Sequence, residues 1–247
     1  MAGEIAKEGG EVLFVHELHR VAGAREADFD AAFREGWMPE LARGGEARLL
    51  WYLRQAHGTG PAYHVVTVTA VRDGAAWQQL AQRLARGDLA GWLTDVDAMR
   101  HGSEAKVLVP VPWSPLQEVD LAQVPAGGAE HPPSLYMEDT AWPYPGGLSA
   151  YLEAAGSLYL ATLEASRAAG RAILELEAAF QPAFGTHSPR EVVLWQKVVD
   201  HQALLRLLSH EVPDQARAPG TWMHEALKVR DRWESRLLRS APWSPWH

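Results

Sequence analysis

The chain has 247 residues, 47% of them apolar, and a formal charge of −8. It can bury a core, and it is too acidic to be a general phosphate-backbone binder. The absence of cysteine excludes disulfides, thiolate metal sites, iron–sulfur clusters and cysteine nucleophiles.

Met1–Gly10 is polar and lacks an apolar signal segment. Val12–Val21 follows the Gly9-Gly10 break and is rich in β-formers, which predicts a strand. In Asp28–Leu41, Phe29, Phe33, Trp37 and Leu41 form one helical stripe. Arg48–Gln55 and Tyr63–Val71 read as strands joined by the turn-forming run His57–Pro61. Ala75–Arg86 is helical, Trp92–His101 extends it or forms another helix, and Lys106–Val111 is a strand ended by Pro112. Leu116–Pro133, rich in Pro and Gly, reads as a linker. Beyond it, Leu135–Trp142 is a strand and Leu148–Ala169 a helix stopped by Gly170. Ile173–Phe180 and Glu191–Val199 are strands around the turn Gly185–Pro189, and Gln202–Ser209 and Trp222–Leu237 are helical.

The two halves are copies. Trp92–Pro115 and Trp222–Pro245 align without a gap, sharing two tryptophans and the run Pro-Trp-Ser-Pro at 112–115 and 242–245. The expected organisation is a first unit over 11–115, a linker over 116–133 and a second unit over 134–247. Each unit reads β-α-β-β-α-β, the ferredoxin-like arrangement of an α+β fold.

Gly170–Val199, a glycine-led strand followed by a turn and the strand Glu191-Val-Val-Leu-Trp195, resembles the NIPSNAP-like proteins of the dimeric α+β barrel superfamily. Phe14–Leu18 is similar to the opening strand of that family. The resemblance implies two ferredoxin-like sheets facing each other across a lumen, with helices outside. Such barrels usually take two chains; the duplication implies that this chain builds one alone. The superfamily includes cofactor-independent monooxygenases, cyclases, lyases and haem enzymes, so the fold leaves function open.

Strand alternation nominates the chemistry. On the first strand, Val12, Phe14, His16 and Leu18 form the more apolar face, expected to meet the helices. Glu17 and His19 are then expected in the lumen, joined by Glu138, which is paired with Glu17 in the repeat, and by Thr140 and Trp142. Glu175 and Glu177 alternate with Leu174, Leu176, Ala178 and Phe180 and are placed on the lumen side. Carboxylates in an enclosed barrel have raised pKa values and suit acid/base catalysis. Tyr63 and His64, beside a turn at the barrel mouth, are candidates for polarising a carbonyl and removing a proton. Arg54 is a candidate fork donor to an anionic substrate. Trp51, Trp142 and Trp195, on strands, are expected to line an aromatic cavity. Trp113 and Trp243 read as structural pegs.

Eleven histidines lack metal spacing: His16 and His19 fall on opposite strand faces, and His224-Glu225 has no second histidine of H-E-x-x-H. No dinucleotide, Walker or nucleophile-elbow motif is present, and neither a metal nor an organic cofactor is expected. The expected protein is cytoplasmic, monomeric or weakly self-associating, with an apolar or aromatic small-molecule substrate and no nucleic-acid or membrane partner. The function expected is a cyclase, lyase, isomerase or monooxygenase working in the barrel lumen; the alternative is a non-catalytic metabolite-binding or accessory protein. Residues 1–120 expressed alone are expected to aggregate or form an artificial dimer, which size-exclusion chromatography tests.

Overall fold

A computed structural model describes residues 12–183 and 190–247. The Gly9-Gly10 break, His187 and the turn Gly185–Pro189 lie outside these described residues. Eight strands close into one barrel: β1 (Leu13–Val21), β2 (Ala47–Gln55), β3 (His64–Val71), β4 (Arg100–Pro110), β5 (Leu135–Pro143), β6 (Leu174–Pro182), β7 (Val192–Val198) and β8 (Arg230–Ser240). Their order around the barrel is β1-β3-β2-β8-β5-β7-β6-β4. Each half is therefore a four-stranded antiparallel sheet of order 4-1-3-2, and the halves are sewn together by the pairs β2–β8 and β4–β6. The α+β class and the intramolecular pseudo-twofold barrel are as the duplication implies.

Helices cover the outside of each sheet. In the first unit, α1 (Glu26–Ala31) runs through a π-helical segment (Ala32–Trp37) into α2 (Met38–Gly44), followed later by α3 (Gly74–Arg86) and α4 (Ala90–Asp97). In the second, α5 (Leu148–Ala154) passes through a π-helical segment (Ala155–Tyr159) into α6 (Leu160–Ala168), with α7 (His201–Ser209) and α8 (Trp222–Glu225) beyond. Asp73 and Asp200 cap α3 and α7 in the same way, each accepting the backbone N–H three residues on.

Sequence expectations are corrected in two respects, element boundaries and strand faces. Trp222–Leu237 is not one helix: α8 is a single turn, and Arg230–Ser240 is a strand paired along its length with β5. β4 likewise begins at Arg100 rather than Lys106, paired with β1. Their charged, exposed outer residues carry no two-residue apolar pattern, and cross-strand pairing alone makes them β. The second correction concerns alternation on β6. A bulge at Glu177 shifts the register, so Ala178 and Phe180 face the lumen while Leu174 and Leu176 face the helices. β2 has the same bulge at Leu50.

The Pro-Trp-Ser-Pro runs are exchanged between the halves. Trp243, from the second copy, is buried in the first unit's core, its ring 4.6 Å from that of Tyr52. Ser244 Oγ accepts the Tyr52 N–H at 3.0 Å, and Trp246 N–H donates to the Leu50 carbonyl at 2.9 Å. Reciprocally, Trp113 packs on the second unit and donates from Nε1 to the Leu152 carbonyl at 2.9 Å, while Ser114 Oγ accepts the Ala179 N–H at 2.9 Å. Gly156 admits the Trp113 ring: a Cβ there would lie 2.8 Å from its Cδ1. The structural reading of both tryptophans holds, with each peg seated in the opposite copy. Trp243→Ala should therefore cost about 3–5 kcal/mol of stability, and more than Trp113→Ala, whose ring is only partly buried; equilibrium urea unfolding measures both.

Candidate functional site

The lumen is filled at its centre. Phe14 lies against Phe180 at 4.8 Å between rings, and Trp51 against Trp195 at 5.4 Å, with Tyr136 and Trp246 completing the cluster. Trp195 is thus a core residue, and Trp51, equally buried, touches only the edge of the cleft that Glu175 and Glu177 border. Trp142, at the end of β5, is at the barrel mouth with the Arg232 guanidinium 4.0 Å from its ring centre.

The face assignment on β1 is reversed from the sequence expectation. Phe14, His16 and Leu18 point into the lumen, whereas Val15, Glu17 and His19 point toward the helices. His16, expected on the helix-facing side, belongs to the lumen. Superposing the nine-residue strands β1 and β5 end to end matches His16 with Glu138 and Glu17 with Asp139, not Glu17 with Glu138. Cross-strand pairs agree: His16 lies opposite Lys106, and Glu138 opposite Arg236 at the corresponding place.

Glu138 is where the sequence placed it, inside the barrel. Burial alone would raise its carboxyl, but His16, with Nε2 3.3 Å from Oε1, together with Arg236 and Lys106, outweighs it and brings the pKa to about 2. The other lumen candidates do not join it. Glu175 pairs at the surface with Arg167 on α6, and Glu177 sits at the bulge with its carboxyl raised by burial. Both border a separate cleft closed by the C-terminal residues Pro245–His247. Tyr63 is half-exposed on the turn, in the left-handed region at φ +60°, with its ring on Gly23. His64 begins β3 opposite Arg20, its imidazole lowered by burial and by Arg236 and Arg20. Arg54 faces outward, ion-paired to Asp30 of α1, which also accepts the Tyr52 hydroxyl at 2.5 Å. Its guanidinium is committed to holding α1 on the sheet rather than to a substrate.

The pocket that gathers perturbed groups lies between the first sheet and its helices. Its volume is about 140 Å³. Phe33, Trp37, Trp77, Leu80, Leu84 and Trp92 give it apolar walls, and Glu17, His19, Thr69 and Arg100 lie on the sheet side. Trp37 and Trp92 stack at 4.4 Å, held by the π-helical segment and α4. The polar groups form a chain. Arg100, anchored by Asp97 at 2.5 Å, donates to His19 Nδ1 at 2.6 Å. A guanidinium only donates, so His19 carries its proton on Nε2 and gives it to Thr67 Oγ1 at 3.0 Å. Burial, with Arg100 and His16 adding, holds His19 well below the ordinary imidazole range, so it stays neutral. Burial raises the Glu17 carboxyl, partly offset by Arg100. Trp37 Nε1 and Thr69 Oγ1 are buried without a hydrogen-bond partner. Sequence reasoning missed Arg100 and Thr69, and placed Trp37 only in a helical stripe. Arg100 is one of the identical pairs of the repeat, matching Arg230, and that was the available signal.

The second unit fills the equivalent space. Tyr151 and Tyr159 enter from the helix, the Tyr159 hydroxyl donates to Gln196 Oε1, and Gln196 Nε2 donates to Asp139 Oδ2 at 2.8 Å. Among the described residues, no cluster of three or more His, Asp or Glu is placed to hold a metal. None of the described helices is long and apolar enough to cross a membrane.

No protein-family model and no curated protein matches the sequence. Among solved structures, the chain is similar to a proposed monooxygenase from Lactobacillus acidophilus NCFM, with 8% identity and a TM-score of 0.56 over 93% of this chain and 94% of that one. An anthrone oxidase-like protein gives 10% identity and a TM-score of 0.57 over 94% and 92%. A NIPSNAP family protein from Agrobacterium tumefaciens C58, at 19% identity and a TM-score of 0.36, covers 42% of this chain with 98% of its own length. The full-length similarities show the fold: this is a dimeric α+β barrel made from one chain.

Asp139 yields a pH prediction. Burial raises its pKa to about 6, above the 3.8 of a free aspartate, although Ser235, Gln196 and Arg230 pull the other way. The folded state then binds the proton more tightly, so stability falls as pH rises from about 4 to about 6. Asp139→Asn should stabilise the protein at pH 7.5 by up to about 3 kcal/mol and bring no gain at pH 3.5. Thermal melts at the two pH values check this.

Proposed function

We propose that the protein is a small-molecule enzyme without an organic cofactor, acting on an apolar, oxygenated ring compound in the pocket between the first sheet and its helices. The observation that carries this reading is one raised carboxyl, Glu17, beside a buried guanidinium, Arg100, at the polar side of an aromatic pocket. Such pairs of opposed groups are the usual furniture of proton abstraction next to a carbonyl. Glu17 takes the proton from carbon, the C–H electrons move onto the carbonyl oxygen, and Arg100 holds the enolate oxygen. His19 touches no substrate in this scheme. Neutral and hydrogen-bonded on both nitrogens, it positions Arg100 without adding a second positive charge. Trp37 Nε1 and Thr69 Oγ1 are free to orient a hydroxyl on the ring.

The pocket as it stands has room for one or two rings, and a larger substrate requires Trp77, 37% exposed on α3, to swing outward. The monooxygenase and anthrone oxidase-like names among similar folds support the enolate class. With O2 as co-reactant, the enolate carbon gains a hydroperoxide that loses water to leave a carbonyl, converting an anthrone to an anthraquinone.

In D2O the enzyme should exchange the acidic α-protons of 2-tetralone faster than buffer does, and Glu17→Gln should lower that rate by about 10²-fold or more. Oxygen uptake with anthrone tests the oxidative continuation. Exchange by Glu17→Gln at the wild-type rate would overturn the role of Glu17. The filled lumen favours one second reading, a metabolite-binding protein; it predicts saturable 2-tetralone binding with no exchange above buffer.

A further inference from the structure

The barrel has another polar concavity, independent of the pocket just described. Between β1 and β4 of one half and β5 and β8 of the other lies a cleft of about 550 Å³. Both halves contribute corresponding positions: His16 with Lys106 from one, Arg236 beside Glu138 from the other. The cleft therefore straddles the pseudo-twofold axis. His16 lies at its floor, and behind it, 3.3 Å away, is Glu138 at the matching position of the other half. A homodimer would have to place two histidines or two glutamates there; the fused chain places one of each. Each residue is 2% exposed, and His16 Nε2 and Glu138 Oε2 lack a hydrogen-bond partner of good geometry. Buried polar atoms are rarely left so.

The charges on the walls are mostly spent. Glu104 pairs with Arg20, Glu191 with Lys106 at 2.6 Å, and Glu234 with Arg236 at 3.3 Å. Arg232 lies on the Trp142 ring and, among the described residues, has no carboxylate partner. The lining thus offers one guanidinium fork with no ion-pair partner among the described residues, an imidazole at the floor, and the hydroxyls of Ser103 and Thr140.

We propose that this axial cleft is a binding site for a small oxygenated monocarboxylate, with Arg232 taking the carboxylate and His16 bonding an oxygen at the far end. A guanidinium matches a carboxylate with two parallel hydrogen bonds, and its stacking on Trp142 holds the fork in place beforehand. A single fork without a carboxylate partner of its own, among walls whose other charges are paired, suits one carboxylate rather than two.

Isothermal titration calorimetry of the full chain with 4-hydroxybenzoate tests the site, with 4-hydroxybenzamide as the uncharged counterpart. The acid should bind and the amide should not. Arg232→Gln, an exposed change that leaves the core intact, should weaken the acid by about tenfold or more, and His16→Gln should weaken it further. Glu17→Gln should leave it unchanged, which separates this site from the helix–sheet pocket. The proposal is overturned if the acid fails to bind at millimolar concentration, if the amide binds equally, if Arg232→Gln binds as wild type, or if Glu17→Gln abolishes binding.

Discussion

The molecule depends on a reciprocal clasp. Each Pro-Trp-Ser-Pro run leaves the end of its own sheet and seats a tryptophan in the other copy's helix layer. Its serine hydroxyl satisfies a backbone N–H beside the other copy's bulge. Without these contacts, Tyr52 and Ala179 would expose unpaired buried N–H groups, and each helix–sheet core would lack a large aromatic. Burying such donors unpaired is costly. The clasp also explains why the bulges at Leu50 and Glu177 are duplicated: each breaks the ladder where the partner's run enters.

Closure of the barrel has a consequence for chemistry. Two sheets held this closely press Phe14, Phe180, Trp51, Trp195 and Tyr136 into a solid centre, leaving polar space only toward the mouths. The apolar pocket with perturbed groups is displaced outward, between sheet and helices, where the π-helical segment and α4 bring Trp37 and Trp92 together over Glu17 and His19. In the second unit the same architecture is plugged by Tyr151 and Tyr159. Covalent fusion lets the halves diverge in this way, one keeping a pocket and the other spending its carboxylate on an internal network with Gln196.

Fusion also sets the electrostatics of the axis. His16 opposite Glu138 is an attractive pair at a place where symmetry would impose like residues. Glu138 remains ionised through the neutral range because His16, Arg236 and Lys106 surround it. Its stabilising contribution is present above the ordinary glutamate pKa and is lost only as pH falls toward about 2.

Much of this architecture was readable in the residues themselves. The gapless repeat and the order of strands and helices in each copy led to two ferredoxin-like units and one barrel, because apolar periodicity and turn chemistry are local properties. Trp113 and Trp243 were placed as pegs from the repeated run, whereas Glu138 lies in the lumen although the pairing with Glu17 that put it there does not hold, since its counterpart is His16. What the residues by themselves assigned wrongly was the face of β1 that points inward, since Phe14, Leu18, Val15 and Val21 make both sides apolar once both are buried. A closed barrel under helices buries both faces of its strands, so alternation loses its meaning there. The bulge at Glu177 reversed alternation within one strand, and the charged strand β8 read as helix because only pairing with β5 makes it extended. Arg100 joined Glu17 and His19 because β4 pairs with β1, a contact between residues some eighty positions apart. Local patterning determined the elements and their order; long-range pairing decided which side chains meet.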